Sequence, residues 1–360
     1  MVDDDGAVSR LRLLLLVTGL GALMTSGPVS AVVAPGPEAD ALPAAGSVSR
    51  AMVMLESAAL AARARTWSGT QHVVSTRSGE PHFAVLQVQH TPGEGSTVQV
   101  LASEGSAVAP DVLDQRLLSL LASHYDLRVA GAGACAGHRA RIVEALRPGQ
   151  SGPKAVAGRF WIDDATGLVL RRDVVDDGGR VVRSSAFVSL TVGSRHAVPV
   201  SYSAATPSAG VTHATGQRLD DSGLQVLVAQ GWPVSRQLPS GMDLFEARMH
   251  EGALGDVLQL SYSDGLSTLS LFVQKGELPS STPGTPQSLG GQVWVSPGTT
   301  ERVVWSGGGR TWTLVSDAPD ATVQSAVLAL PHAPAHQDDG MLARTWRGMS
   351  RVGAWLNPFE

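Results

Sequence analysis

Two adjacent carboxylate pairs, Asp163/Asp164 and Asp176/Asp177, are the residues best suited by type and spacing to acid–base chemistry. Such chemistry needs one carboxyl to give a proton while the other takes one. Both pairs, however, sit beside glycine between alternating apolar segments, where aspartate and glycine are what a tight turn needs. Turns are therefore the expectation. The ten histidines form no HxH, HExxH or other ligand spacing. His332 and His336 are four apart, but Pro331 and Pro334 oppose a helix there. A GxSxG elbow and a GxxxxGK[ST] loop are both missing. Gly131, Gly133 and Gly137 are spaced almost like a dinucleotide loop, but the last is one residue late and no βαβ pattern surrounds them; a strand connection is expected. The lone Cys135 allows neither an internal disulfide nor a cysteine zinc site and reads as a small buried residue. A Ser-His-Asp triad can be dispersed along a chain, but nothing nominates one here. The expectation is a binding protein with no catalytic residue, metal or cofactor.

The 360 residues suggest about two domains, at roughly 100–200 residues each. With 43% hydrophobic and 16% charged residues the chain can fill real cores. Its 40 glycines and 21 prolines suit many turns. A net charge of −5 argues against a nucleic-acid partner, which calls for a basic surface.

At the N-terminus Arg10 and Arg12 precede the apolar run Leu13–Met24, and Val29-Ser30-Ala31 follows as a small-residue cleavage pattern. That order is a secretory signal, residues 1–31, although Asp3, Asp4 and Asp5 are unusual in one. Export to the periplasm or another extracytoplasmic space is expected. An uncleaved anchor is the alternative, since Leu13–Ala34 could span a bilayer.

Residues 32–46 read as a flexible spacer. Ser47 is the expected cap of a helix carrying Val48, Met52, Leu55, Ala59 and Ala62. The period then switches to two, with strands at Gln71–Thr76, Phe83–His90 and Thr97–Leu101. Asp111 is the expected cap of a second helix with Leu113, Leu117, Leu120 and Leu121. Strands follow at Tyr125–Val129 and Ala140–Leu146, then a meander over 158–192. Residues 196–222 have no period and read as a linker, so a first domain spans 47–195. A smaller second domain, 223–331, carries strands at Val257–Ser263, Thr268–Gln274, Gln292–Ser296, Glu301–Ser306 and Arg310–Val315. A helix at about Asp320–Leu330 completes it. Residues 332–360 form a linker and tail. Most of the eight tryptophans fall on expected strands, as core filling or as the wall of an apolar groove.

Several segments together resemble the MucB/RseB family of sigma-factor regulators. Ser261–Val273, with Tyr262-Ser263-Asp264-Gly265-Leu266 at its heart, is similar to the family's C-terminal YSDGL segment. Gly231-Trp232-Pro233 with Leu238-Pro239-Ser240-Gly241 resembles the opening of that domain. Trp67-Ser68-Gly69-Thr70 and Trp161-Ile162-Asp163 with Thr166-Gly167-Leu168 resemble segments of the first. The resemblance implies an α+β, β-rich fold. Its first domain would be LolA-like, a curved antiparallel sheet wrapped around helices, followed by a smaller, mainly antiparallel β domain with a helix. It also implies a non-enzymatic envelope-stress regulator that binds the extracytoplasmic part of an anti-sigma factor, controls its proteolysis, and senses a lipid or lipoprotein. A lipid or lipoprotein carrier is the alternative.

On that reading Met52, Leu55, Phe83, Val85, Leu117, Leu121 and Trp161 are candidate walls of an apolar ligand site, unless they pack into a closed core. Tyr262, Asp264, Gly265 and Leu266 are candidate partner contacts. In the tail, Trp346 falls on one side of an amphipathic helix, with Arg347 and Arg351 mostly opposite and Trp355 adding a second indole. That pattern suits weak contact with a membrane interface or docking on protein.

Overall fold

The computed structural model describes residues 45–104, 114–148, 154–193, 216–251, 255–278 and 281–332, all within one compact unit. The signal segment, most of the 196–222 linker and the tail with Trp346, Arg347, Arg351 and Trp355 lie outside the described residues. Among those described, no helix is long and apolar enough to cross a membrane.

Helix α1 (Ala45–Ala64) leads into β1 (Trp67–Arg77), β2 (Glu80–Thr91) and β3 (Gly95–Ser103). Helix α2 (Gln115–His124) follows, then β4 (Asp126–Cys135), β5 (His138–Leu146), β6 (Val156–Asp163), β7 (Val169–Val175) and β8 (Val181–Val192). These strands make one antiparallel sheet in the order β3-β2-β1-β8-β7-β6-β5-β4. The sheet is curved. Four steps separate β8 from β4, which in a flat sheet is about 19 Å, yet Cys135 Sγ at the end of β4 lies 3.7 Å from the Phe187 carbonyl of β8. Register shifts at Thr70/Gln71, Val85/Leu86, Val129/Gly131 and Ala145/Leu146 supply bends, because a bulge kinks its strand. Helix α1 occupies the hollow and touches β2, β4, β6 and α2. Its Ala51, Leu55, Ala58 and Ala59 are buried there with Leu118, Leu121, Val143 and Phe160.

Several expectations shift by a few residues. The first helix begins at Ala45, two residues before Ser47, so Ser47 lies inside it rather than capping it. Asp111 lies outside the described residues; the cap of α2 is Asp114, whose carboxylate accepts from the Leu117 N–H at 2.8 Å. Gly131 and Gly133 lie inside β4, not in a connection. The turn is Ala136-Gly137, both at positive φ. A side chain at Gly133 would meet Trp161 Nε1 at 3.3 Å, which explains a glycine within a strand. The carboxylate pairs are turn residues, as expected. Asp163 accepts from the Thr166 hydroxyl and the Ala165 N–H, and Asp176 from the Arg180 N–H. That backbone N–H leads the causes holding Asp176 below the usual carboxylate range.

The second sheet begins at β9 (Gln217–Arg218), inside the stretch expected to be linker, followed by α3 (Asp221–Ala229). Its main strands are β10 (Gln237–Leu238), β11 (Met242–His250), β12 (Val257–Ser263), β13 (Thr268–Lys275), β14 (Thr285–Ser288), β15 (Gln292–Ser296), β16 (Glu301–Gly307) and β17 (Arg310–Ser316). Helix α4 (Asp320–Leu328) closes the unit. The order is β10-β11-β12-β13-β17-β16-β15-β14, with β9 paired to β11. Strand β11 carries no clear alternation in the sequence, because a bulge between Leu244 and Glu246 breaks it. Trp305 and Trp312, stacked at 5.9 Å, fill this core together with Leu260, Leu271 and Val327. Gly307 is required: a Cβ there would lie 2.0 Å from the Pro331 carbonyl oxygen.

Candidate functional site

The YSDGL segment is the turn between β12 and β13, and it points into the first sheet. Leu266 belongs to the first sheet's core, beside Leu121 and Phe160, and is 1% exposed. A Cβ on Gly158 of β6 would touch its side chain at 2.6 Å. Gly265 has φ +89, and a Cβ there would lie 2.3 Å from the backbone nitrogen of Leu121 in α2. Asp264 fixes the turn: one carboxylate oxygen accepts from the N–H groups of Leu266 and Ser267 at 2.8 and 2.7 Å. Its other oxygen accepts from the Tyr125 hydroxyl at 2.6 Å. Burial, then the nearby Asp264 charge, pushes the Tyr125 hydroxyl well above its ordinary pKa, so it stays a donor. Tyr262 is fully buried in the second core and donates to the Ser235 carbonyl at 2.9 Å.

The four residues expected to meet a partner are thus turned inward. Tyr262, Gly265 and Leu266 present no surface in this conformation, and Asp264 is committed to Tyr125 and the turn. What they do here is join the two sheets. Sequence patterning placed them on a hairpin but carried no signal that its tip enters another core.

A second joint lies where β1 and β8 reach the other sheet. Arg77, 4% exposed, donates to the carbonyls of Ala318 and Ser316 and to the Asp320 carboxylate, and lies 3.8 Å from Glu301. Arg183 donates to the Thr299 carbonyl and lies 3.5 Å from Asp317. A third contact is His124 of α2, 2.8 Å from Asp243 of β11.

Burial, with the neighbouring Asp320 charge, holds the Glu301 carboxyl above its ordinary range despite the opposing pull of Arg77. A carboxyl whose folded pKa is raised binds more protons in the folded state. Its contribution to stability therefore falls as pH rises from the ordinary glutamate value, about 4.3, through the raised one. Glu301→Gln is expected to gain stability relative to the parent over that window and to level off above it. Urea midpoints of both proteins measured across pH test this; a constant difference would contradict it.

The candidate ligand walls do not line one cavity. Leu55 and Leu121 are fully buried, Leu117 is 6% exposed, and Met52 packs partly buried against the same cluster. Phe83, Val85 and Trp161 stand on the opposite face of the sheet. Phe83 is 49% exposed beside Val74, its partner on β1, and the Arg171 guanidinium covers the Trp161 ring at 4.7 Å. The reason is the period of two: Phe160 and Ile162 take the inner positions of β6, which turns Trp161 out.

A surface groove of about 500 Å³ runs between α2 and the start of the second sheet, lined by Arg116, Arg218, Leu219, Leu224, Arg236 and Phe245 among others. Its charges are mixed, with Asp220, Asp221 and Glu246 facing the arginines. None of its residues was singled out from the sequence, because they come from four separate segments.

The fold is thus a β-rich α+β architecture of two antiparallel sheets, the first curved around a helix, with an inward-facing joint; among the described residues no group of His, Cys, Asp and Glu could hold a metal ion. Residues 79–209 match the family model of the MucB/RseB N-terminal domain, which shows the resemblance for that part of the chain. The Pseudomonas aeruginosa MucA/MucB complex is similar at 21% identity, over 79% of this chain and 100% of that one, with a TM-score of 0.44. A crystal structure of MucB is similar at 19% identity, over 78% and 97%, with a TM-score of 0.48. A LolA-superfamily protein from Nitrosomonas europaea gives 11% identity, over 40% and 91%, with a TM-score of 0.18. No curated protein matches the chain in sequence.

Proposed function

We propose that the chain is an exported, non-enzymatic regulator that binds the extracytoplasmic part of an anti-sigma factor. By controlling that factor's proteolysis it sets the activity of an envelope-stress sigma factor. The observation that carries this reading is the match of residues 79–209 to the MucB/RseB N-terminal domain. The joints support it physically: a sensor must transmit the state of one part to another, and two sheets held by the YSDGL turn and by the Arg77, Arg183 and His124 contacts can do so. In this reading the first sheet senses a lipid or lipoprotein ligand, and the second reports that state to the partner.

A lipid or lipoprotein carrier is the second reading, favoured by the curved sheet itself. A carrier keeps its function when the second sheet is uncoupled from the first; a regulator loses it. The test is genetic. Removing the chain should shorten the lifetime of the anti-sigma factor and raise a sigma-dependent reporter. An unchanged lifetime in envelope-stressed and resting cells alike would count against regulation and favour the carrier.

A further inference from the structure

Strand β3 is an edge of the first sheet: it pairs with β2 on one side, and no described strand takes the other. An edge strand shows a row of unpaired N–H and C=O groups, which proteins commonly block with charge, proline, a bulge or a covering element. Gly95–Ser103 contains no charged residue and no proline. A bulge opposite Val85 and Leu86 disturbs only its end; Gly95–Val100 runs in unbroken register against Thr91 to Leu86. The other edges among the described residues are better blocked. Strand β4 packs along α1 and reaches β8, β14 carries Pro286, and β9 and β10 are two residues each.

Apolar surface continues from this edge. Val98 is buried in the core, but Val100 and Leu101 are 43% and 46% exposed. On the outer face Phe83 and Val74, 49% and 41% exposed, are cross-strand partners, and Val85, next to Phe83 on that face, pairs with Ala102. The charge at one end is acidic. Glu104 extends the pairing through its N–H to the Phe83 carbonyl at 2.9 Å, and Glu80 opens β2. Both are exposed, and neither has an ion-pair partner among the described residues. A regular row of unpaired backbone groups is satisfied by another extended backbone, an apolar flank by apolar side chains, and two carboxylates by a cation. A second copy of the chain fits less well, because it brings a further net charge of −5 and the same glutamates.

We propose that β3 is a strand-addition site for an extended segment of another protein, uncharged and alternately apolar over the length of Gly95–Val100 and flanked by lysine or arginine. The added strand pairs with the open edge, lays apolar side chains beside Val100, Leu101 and Phe83, and sets its cation against Glu80 and Glu104. The inference goes beyond the regulatory reading and does not depend on it.

The test is fluorescence anisotropy of the whole purified chain with a labelled octapeptide of alternating valine and threonine that carries a lysine at each end. Two further probes are the same peptide with glutamate ends and the lysine peptide N-methylated throughout its backbone. The lysine peptide is expected to bind about fivefold tighter than the glutamate peptide, the scale of exposed ion pairs. The methylated peptide, which cannot donate to the edge, should not bind. Glu80→Lys combined with Glu104→Lys should reverse the charge preference. Val100→Lys, which places a charge on the edge, should abolish binding, while Val181→Lys, at a similarly exposed valine of β8, should change nothing. Should Val100→Lys fail to fold, the three peptides on the parent chain still decide. Binding of the methylated peptide as tight as its parent overturns the proposal, as does equal binding of the two charged peptides or binding of none. A dimer of the purified chain that Val100→Lys dissociates would make a second copy the occupant and overturn it too.

Discussion

Gly265→Ala is expected to lower the unfolding free energy by about 3 kcal/mol or more. Two costs combine. A non-glycine residue at φ +89 carries strain of roughly 1–3 kcal/mol. A Cβ 2.3 Å from the Leu121 nitrogen must also push the turn away from α2, because the obstructing atoms are backbone and cannot rotate aside. Withdrawing the turn pulls Leu266 from the first core, where its loss alone would cost about 2–5 kcal/mol. Gly179→Ala is the control: its φ is +78, yet nothing lies within 4 Å of an added Cβ. The difference between the two variants in urea unfolding, followed by tryptophan fluorescence, isolates the clash. Equal losses would show that the YSDGL turn does not rest against α2.

Arg77→Met is expected to cost about 3–5 kcal/mol, the scale for breaking a buried ion pair from one side. The guanidinium holds two carbonyls and one carboxylate with a second carboxylate nearby, and it is almost completely covered. Its removal leaves Glu301 and Asp320 facing each other without a cation. Arg77→Met combined with Glu301→Gln should recover part of the loss, since one of the opposed charges is then gone. Urea unfolding of the single and double variants measures this. A loss below about 1 kcal/mol for Arg77→Met would place the joint outside the stable core.

Much of the fold was legible because it follows local rules. Alternation marked β1, β2, β5 and β12–β13, and Asp-Gly clusters marked the turns at 163–167 and 176–179. What stayed hidden depends on long-range packing. Strand β11 lost its alternation to a bulge. Gly131 and Gly133 look like loop residues until the Trp161 ring is seen against the second of them. Trp161 reads as a cavity wall because it is large and apolar, but its parity relative to Phe160 decides its face. The same limit governs the site. Tyr262-Ser263-Asp264-Gly265-Leu266 stood out as a motif, yet only the register of two sheets shows that Leu266 serves the core of the other one.

The measurement that bears most directly on the central claim is calorimetric titration of the purified chain with the extracytoplasmic segment of the single-pass anti-sigma factor from the same cell. Saturable binding with defined stoichiometry is expected, weakened when Gly265→Ala displaces the turn that joins the two sheets. No heat and no saturable binding from a chain whose circular dichroism shows it folded would contradict it.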